Sequence, residues 1–281
     1  MVQARDIPKR VVAALDGGDG GRRALERAIS EAARHHAPLD IVHCAREGSA
    51  GPMLDEAAER AVERLPAPRV NQRTLTGERA PALRSAVEHD DLLVLGLRTR
   101  RRLTARVLGS TTSRLLANPP SALAVVPPPL EEPPPDGPFG GHVAAAVDGP
   151  ASARHVLPWA FSQARAHELP LVAVHAEPSP DHPAGAYVDQ RMLEISLSPL
   201  PESLGMLEDA LAPWRREHPE LTLRRGYFHG SPAEVLRHVC GNAELLVLGA
   251  PGRGPRPLHL ADRVLARTAC PVLVGVAPES R

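Results

Sequence analysis

The sequence predicts an α/β protein made of two repeated, doubly wound domains, each built on a parallel β-sheet. Short apolar segments of strand length alternate with helical segments along the chain, as in a parallel sheet covered on both faces. The second half also repeats the first, since Asp16 corresponds to Asp148 and His43 to His175, both 132 positions apart. Repetition on this scale indicates gene duplication and a pair of similar domains.

Each element of the first half follows from its pattern of apolar residues. The strands are predicted at 11–15, 39–44, 70–75, 92–95 and 121–126. The third strand is the most polar, so we expect it at an edge of the sheet. The helices between them are predicted at 23–36, 53–65, 80–88 and 109–117. In the first helix, alanine and leucine residues at helical spacing form the apolar stripe that would face the sheet.

The two halves are separated by a segment rich in proline. Residues 127–138 are PPPLEEPPPDGP, and they predict a semi-rigid linker because proline neither continues a helix nor fits a central strand. A ligand for an SH3-type domain is the alternative, but the position between two similar halves favours the linker. The predicted organisation is domain 1 at 1–127, a linker at 128–139 and domain 2 at 140–281.

The repeat continues after an insertion in the second half. Gly77 corresponds to Gly230 and Gly96 to Gly249, 153 rather than 132 positions apart, so the second half gains 21 residues. These residues fall in the segment 177–201. The final strands of the two halves lie 149 positions apart, so the loop after Gly249 is four residues shorter than the loop after Gly96.

The composition argues against several classes of protein. The formal net charge is zero, so we expect neither a general nucleic-acid partner nor a membrane surface. Aromatic residues make up 2% of the chain, which predicts a core of Ala, Val and Leu. Cys44, Cys240 and Cys270 form no metal-binding or disulfide pattern.

Nothing in the chain predicts export or membrane insertion. It has no apolar run of roughly 18 residues, the length of a membrane span. Asp6 and Pro8 stand where a signal peptide would be apolar. We therefore expect a cytoplasmic protein.

A glycine-bounded, arginine-rich segment is the strongest candidate for a binding site. Gly96 ends the strand at 92–95, and Gly109, Ser110, Thr111 and Thr112 open the helix at 109–117. Serine and threonine at a helix start bring hydroxyls, backbone N–H groups and the positive end of the helix dipole to one point. Such a point favours an anion, above all a phosphate.

This segment resembles the nucleotide loop of the universal stress protein family. ATP-binding members carry Gly, two residues, Gly, nine residues and then Gly-Ser or Gly-Thr; here Gly96 and Gly109-Ser110 keep the spacing, while Thr99 replaces the middle glycine. Both halves also show Asp-Gly after the first strand, Val-His in the second and Leu-Leu-Val-Leu-Gly in the fourth. The resemblance implies a five-stranded, Rossmann-like sheet of order 3-2-1-4-5 in each half.

The resemblance also implies an ATP site, with Mg²⁺ as a companion ion, in the first half. The sheet order reverses between strands 1 and 4, which opens a crevice at their carboxyl ends. There Asp16 would reach ribose hydroxyls or magnesium, and the Val42 backbone would contact adenine. Arginine suits phosphate because its planar fork donates two hydrogen bonds. The predicted nucleotide-binding residues are Asp16, Gly17, Val42, Gly96, Arg98, Thr99, Arg100, Gly109, Ser110, Thr111 and Thr112.

The second half departs further from the family pattern. Asp148, Gly249 and Gly252 are present, but the terminal Gly-Ser pair is absent. Counting from Gly252 puts Asp262-Arg263 at its place, whereas aligning on the final strand puts Leu258-His259 there. Either pair predicts lost or weakened ATP binding in this half, since a carboxylate repels phosphate and leucine blocks its approach.

No catalytic motif accompanies these patterns, so we expect at most slow ATP hydrolysis. HExxH, GxSxG and a lysine-bearing Walker loop are absent. The resemblance implies a regulatory, stress-response role with a protein partner that the sequence does not identify. Two alternatives stay open: a nucleotide-free protein-interaction module of the same fold, and an adenine-nucleotide α-hydrolase-type enzyme.

The final strands also bear on assembly. The strands at 121–126 and 271–276 would be open sheet edges. Members of the family pair such edges across a dimer axis. In a tandem chain the two halves could satisfy each other, and a further homodimer stays open.

Overall fold

The computed structural model describes residues 7–45, 51–97, 109–130, 139–177, 201–239, 243–250, 258–266 and 268–277. The chain forms two compact units, Asp6–Pro129 and Leu130–Ala277, called here the first unit and the second unit. Among the described residues, none of the helices combines the length and the hydropathy needed to cross a membrane.

The first unit is a parallel sheet of five strands connected by four helices. In chain order the elements are β1 (Val11–Leu15), α1 (Asp19–Arg34), β2 (Leu39–Ala45), α2 (Gly51–Val62), β3 (Val70–Thr76), α3 (Arg79–Ala86), β4 (Leu92–Gly96), α4 (Ser110–Ala117) and β5 (Ala122–Val126). The strand order is β3-β2-β1-β4-β5 and every pair is parallel. This confirms the predicted order 3-2-1-4-5, with the polar third strand at an edge.

The second unit repeats the same order. Its elements are β6 (Val143–Ala146), α5 (Pro150–His167), β7 (Leu171–Glu177), α6 (Pro201–Glu217), β8 (Leu223–His229), α7 (Pro232–Val239), β9 (Leu245–Gly249), α8 (Leu258–Leu265) and β10 (Val272–Gly275). The order β8-β7-β6-β9-β10 is that of the first unit. Most of the predicted insertion, residues 178–200, and most of the predicted linker, residues 131–138, lie outside the described residues.

Helix α1 starts earlier than its sequence predicts. It begins at Asp19 rather than at residue 23, so Gly20 and Gly21 belong to its first turn. Glycine disfavours a helix interior by about 1 kcal/mol relative to alanine, which is why the pattern of residues 17–21 resembles a loop. At least Gly20 is required by a tertiary contact, because this residue packs against the chain at the carboxyl end of β4.

The cores of the two units differ in composition. The predicted aliphatic core holds for the first unit, where Val11, Val12 and Ala13 are fully buried and the sequence contains no aromatic residue before Phe139. The second unit buries aromatic side chains in addition to aliphatic ones. There Phe161 of α5 stacks on Trp214 of α6, with ring centroids 4.9 Å apart.

A cluster of charged side chains joins the amino ends of the strands in the first unit. Arg10 Nη1 donates to Asp40 Oδ2 at 3.1 Å, and Arg10 Nε donates to Asp91 Oδ2 at 3.1 Å. Asp40 also accepts hydrogen bonds from Arg73 at 2.9 Å and Asn71 at 3.1 Å. The hydrogen bond from Arg10 to Asp91 and the attraction of the Asp91 and Asp40 carboxylates raise the pKa of Arg10. Burial acts in the opposite direction and lowers it. The cluster therefore links β1, β2, β3 and the residue before β4.

We expect Asp40→Asn to destabilise the first unit by about 1–3 kcal/mol, because Arg73 loses its carboxylate partner and Arg10 keeps only Asp91. Asp55→Asn is the matched control, since Asp55 is exposed and accepts one hydrogen bond, from Gln72. The measurement is urea unfolding followed by far-UV circular dichroism. Equal unfolding midpoints for the two variants would show that the cluster does not stabilise the sheet.

Candidate functional site

The carboxyl ends of β1, β2 and β4 meet at one edge of the first unit. In the parallel register Leu15 lies beside His43, and Ala14 lies beside Leu95. Asp16 and Gly96, 80 positions apart in sequence, are therefore brought to the same edge. This is the switch point of the strand order, where α/β sheets bind ligands.

Asp16 caps the first turn of α1. Its Oδ1 atom accepts hydrogen bonds from the backbone N–H groups of Gly18 at 3.0 Å and Gly21 at 3.1 Å. Gly18 occupies the N-cap position and brings no side chain, so the capping oxygen comes from two residues earlier. A carboxylate at this position also complements the positive end of the helix dipole.

Gly17 and Val42 take different positions at this edge. Gly17 has φ +76°, and a Cβ atom there would lie 3.6 Å from Met53 Sδ, so α2 begins close to the β1–α1 turn. Val42 is fully buried in β2, between Ala14 and Arg73 in register. Its side chain therefore belongs to the core, and the contact of its backbone with adenine stays a prediction.

Gly96 touches the backbone of α1. A Cβ atom on Gly96 would lie 1.7 Å from the carbonyl oxygen of Gly20, and a Cβ atom on Gly20 would lie 2.9 Å from the carbonyl oxygen of Leu97. Helix and strand therefore meet without side chains between them. From the sequence, we expect glycine at position 96 because a phosphate approaches its backbone. In the structure, glycine is required there because α1 packs directly on β4.

The start of α4 is partly exposed and partly buried. Gly109 is the N-cap residue and the helix begins at Ser110; both residues are exposed, and Thr111 is half-buried. Thr112 is only 7% exposed and belongs to the buried face of the helix with Leu115. The other predicted phosphate contacts, Arg98, Thr99 and Arg100, lie outside the described residues.

Two histidines have an equivalent structural role that the sequence does not reveal. His43 Nδ1 lies 2.9 Å from the carbonyl oxygen of Leu15, and His175 Nδ1 lies 2.8 Å from that of Val147. Because a carbonyl only accepts, Nδ1 carries the proton in both rings. Each histidine ties the end of the second strand to the end of the first. In the sequence, the repeat of the Val-His pair 132 positions apart indicates that the two histidines are equivalent, but it does not show which groups they contact.

Cys44 is a free cysteine near the carboxyl end of β2, at the same edge of the sheet. Its Sγ atom lies 4.0 Å from the carbonyl oxygen of Arg79, at the start of α3. Burial raises the pKa of this thiol, and the positive charge of Arg79 offsets the rise only in part. Cys44 is therefore protonated at neutral pH, the less reactive form of a cysteine. The described residues include no group of three or more His, Cys, Asp or Glu side chains arranged to hold a metal ion.

The corresponding edge of the second unit is capped differently. Ser152 Oγ accepts hydrogen bonds from the backbone N–H groups of Asp148 at 2.8 Å and Gly149 at 3.1 Å. The side chain of Asp148 is exposed and does not take the capping role of Asp16. Gly252 lies outside the described residues.

The helix start in the second unit separates the two alignments that the sequence leaves open. Helix α8 begins at Leu258, as α4 begins at Ser110. Asp262 lies within α8 rather than at its start. The alignment on the final strand, which pairs Leu258-His259 with Gly109-Ser110, therefore agrees with the helix starts to within one residue.

Comparison with known proteins gives consistent matches over both units. The model of the universal stress protein family matches residues 8–127 and 141–275. The chain is 28% identical over 253 residues to Universal stress protein Rv1996 of Mycobacterium tuberculosis, covering 85% of this chain and 76% of that protein. It is 25% identical over 297 residues to Universal stress protein Rv2623 of the same species, covering 94% of this chain and 95% of that protein.

A solved structure shows the same fold. The crystal structure of a putative universal stress protein from Pseudomonas aeruginosa superposes with a TM-score of 0.65 at 17% identity, covering 96% of this chain and 94% of that chain. At this identity the likeness is one of fold.

We expect Gly96→Ala to lower the stability of the first unit by at least about 1–3 kcal/mol, the usual cost of overpacking, because its Cβ atom would overlap the Gly20 backbone. Gly249→Ala is the matched control, since the corresponding Cβ atom would meet Val156 at an ordinary 3.4 Å. Thermal unfolding of the two variants and the wild type checks this. A Gly96→Ala variant as stable as Gly249→Ala would contradict the close contact.

Proposed function

The chain belongs to the universal stress protein family, and from this premise we propose that its first unit binds ATP, with Mg²⁺, in a regulatory stress-response role. One observation carries the proposal: Asp16 and Gly96 lie at the switch point of the sheet, and Val42 lies beside Ala14 in the neighbouring strand β2. Helix α4 connects β4 to β5 and therefore starts at that same edge. A glycine N-cap leaves its first N–H groups without a capping side chain.

The charge of the chain supports an anionic ligand in the first unit. Residues 1–129 contain 20 of the 33 Lys and Arg residues and 15 of the 33 Asp and Glu residues. Residues 130–281 contain the remaining 13 and 18. The two halves therefore carry formal charges of opposite sign that cancel over the whole chain. A positive half attracts nucleotide phosphates at long range.

The predicted site residues Val42, Asp16 and Ser110 each have a role in this proposal. The Val42 backbone would contact adenine. A carboxylate has about four lone-pair positions, so Asp16 can accept a ribose hydroxyl while it caps α1. The Ser110 hydroxyl and the N–H groups at the start of α4 would hold phosphate oxygens. Mg²⁺ would bind through those oxygens and neutralise part of their charge.

The second unit is proposed to bind ATP weakly or not at all. It has Leu258-His259 at the start of α8, where the first unit has Gly109-Ser110 at the start of α4. Ser152 rather than Asp148 satisfies the N–H groups at the β6–α5 turn. We also propose binding rather than turnover, with slow ATP hydrolysis as the upper limit.

The direct test is a calorimetric titration of the full chain with Mg-ATP after carried-over nucleotide has been removed. The expected result is one site per chain. Two sites would mean that the second unit also binds ATP. Absence of binding, with no nucleotide released by stripping, would favour the nucleotide-free interaction module.

We expect Ser110→Asp to weaken Mg-ATP binding at least about tenfold, because a carboxylate at the start of α4 repels phosphate at short range. Adenosine affinity should not change. Asn118→Asp is the matched control: it adds the same charge to the other end of α4, about 12 Å away. Equal Mg-ATP affinities for the two variants would argue against phosphate binding at this helix start.

A further inference from the structure

Arg23 reaches from α1 to the end of β4. Its Nη2 atom donates to the carbonyl oxygen of Leu97 at 2.6 Å. Leu97 is 4% exposed, and its N–H group donates to the carbonyl oxygen of Val126 at 2.9 Å. Leu97 is thus held on both sides, by β5 through its N–H group and by α1 through its carbonyl group.

This arginine lies one turn after the glycine contact. Gly20 approaches the Leu97 carbonyl with its backbone, and Arg23 approaches the same oxygen with its side chain. Arg23 Nε is buried and has no hydrogen-bond partner among the described residues. A buried donor without a partner is unfavourable. The hydrogen bonds that Arg23 makes therefore do not by themselves explain why its side chain lies here.

The second unit shows that the fold does not require a cation at this position. Arg23 corresponds to His155 and Leu97 to Ala250, by the same spacings that relate Asp16 to Asp148 and Gly96 to Gly249. The backbone hydrogen bond is kept, since Ala250 N–H donates to Gly275 at 2.7 Å. Among the described residues, no hydrogen bond joins the His155 ring to Ala250.

The two side chains also differ in charge. Burial, together with the neighbouring Arg154, lowers the pKa of His155, so this imidazole is neutral at pH 7. The first unit has a guanidinium group, a charged hydrogen-bond donor, at the same position. A cation at this position therefore occurs in the first unit, in which Gly109 and Ser110 open α4.

We propose that Arg23 is a positioning residue for nucleotide phosphates in the first unit, acting through the Leu97 carbonyl. A charge-assisted hydrogen bond fixes this carbonyl just after the end of β4, at the edge of the sheet where the phosphates are proposed to bind. The inference rests on the proposed nucleotide site and assigns it a residue outside the predicted nucleotide loop.

The first test measures Mg-ATP and adenosine binding by calorimetry for Arg23→Gln, Arg23→Lys and the wild type. We expect Arg23→Gln to weaken Mg-ATP about tenfold, the effect of losing roughly 1.4 kcal/mol, and to leave adenosine affinity unchanged. Arg23→Lys should recover most of the loss, since it keeps a charged donor. Arg22→Gln is the matched control, because the adjacent Arg22 is 72% exposed and pairs with Asp19.

The results separate this inference from the proposed function. A wild-type chain that binds no Mg-ATP would overturn the proposed function, and the phosphate role of Arg23 with it. Normal wild-type binding with an unaffected Arg23→Gln variant would overturn the inference alone. Equal weakening of Mg-ATP and adenosine would also overturn it, since a general structural defect does not distinguish phosphates from the nucleoside.

The second test needs no nucleotide. Trypsin cleaves after arginine, and five arginines follow Leu97 within nine residues, at 98, 100, 101, 102 and 106. We expect faster cleavage at these bonds in Arg23→Gln than in Arg22→Gln, which has also lost one arginine of α1. Equal cleavage rates would overturn the role of Arg23 in holding Leu97.

Discussion

The backbone contact between Gly20 of α1 and Gly96 of β4 is the constraint on which the carboxyl edge of the first unit depends. A side chain at either position would overlap the other element, so the helix can reach the strand only because both residues are glycine. The contact puts the first turn of α1 over the end of the sheet. It also places Asp16 where its carboxylate caps that turn, and Arg23 where its guanidinium meets Leu97.

The two units share a framework and differ at this edge. Both have the strand order 3-2-1-4-5, and both tie the second strand to the first through a histidine, His43 or His175. Capping comes from a carboxylate in one unit and from the Ser152 hydroxyl in the other. Duplication has therefore kept the hydrogen bonds that hold the sheet together, while the groups able to meet a ligand have diverged.

The charged cluster and the proposed binding site lie at opposite ends of the first sheet. Arg10, Asp40 and Asp91 join the amino ends of the strands, far from the switch point at the carboxyl ends. In the second unit the position of Asp40 is taken by the fully buried Val172, and aromatic stacking contributes to the core instead. Because Arg10 and Arg73 balance the charges of Asp40 and Asp91, the net positive charge of the first half belongs to groups outside this cluster.

The sequence by itself determined the α/β class, the repeat, the family and the common edge of Asp16 and Gly96. These follow from local patterns: buried parallel strands are continuous apolar runs, and their carboxyl ends share one edge. Only the tertiary structure decided the early start of α1, the packing role of Gly96, the burial of Thr112 and the hydrogen bond from Arg23. Each of these depends on the distance between groups far apart in sequence, and residue spacing alone does not contain that distance.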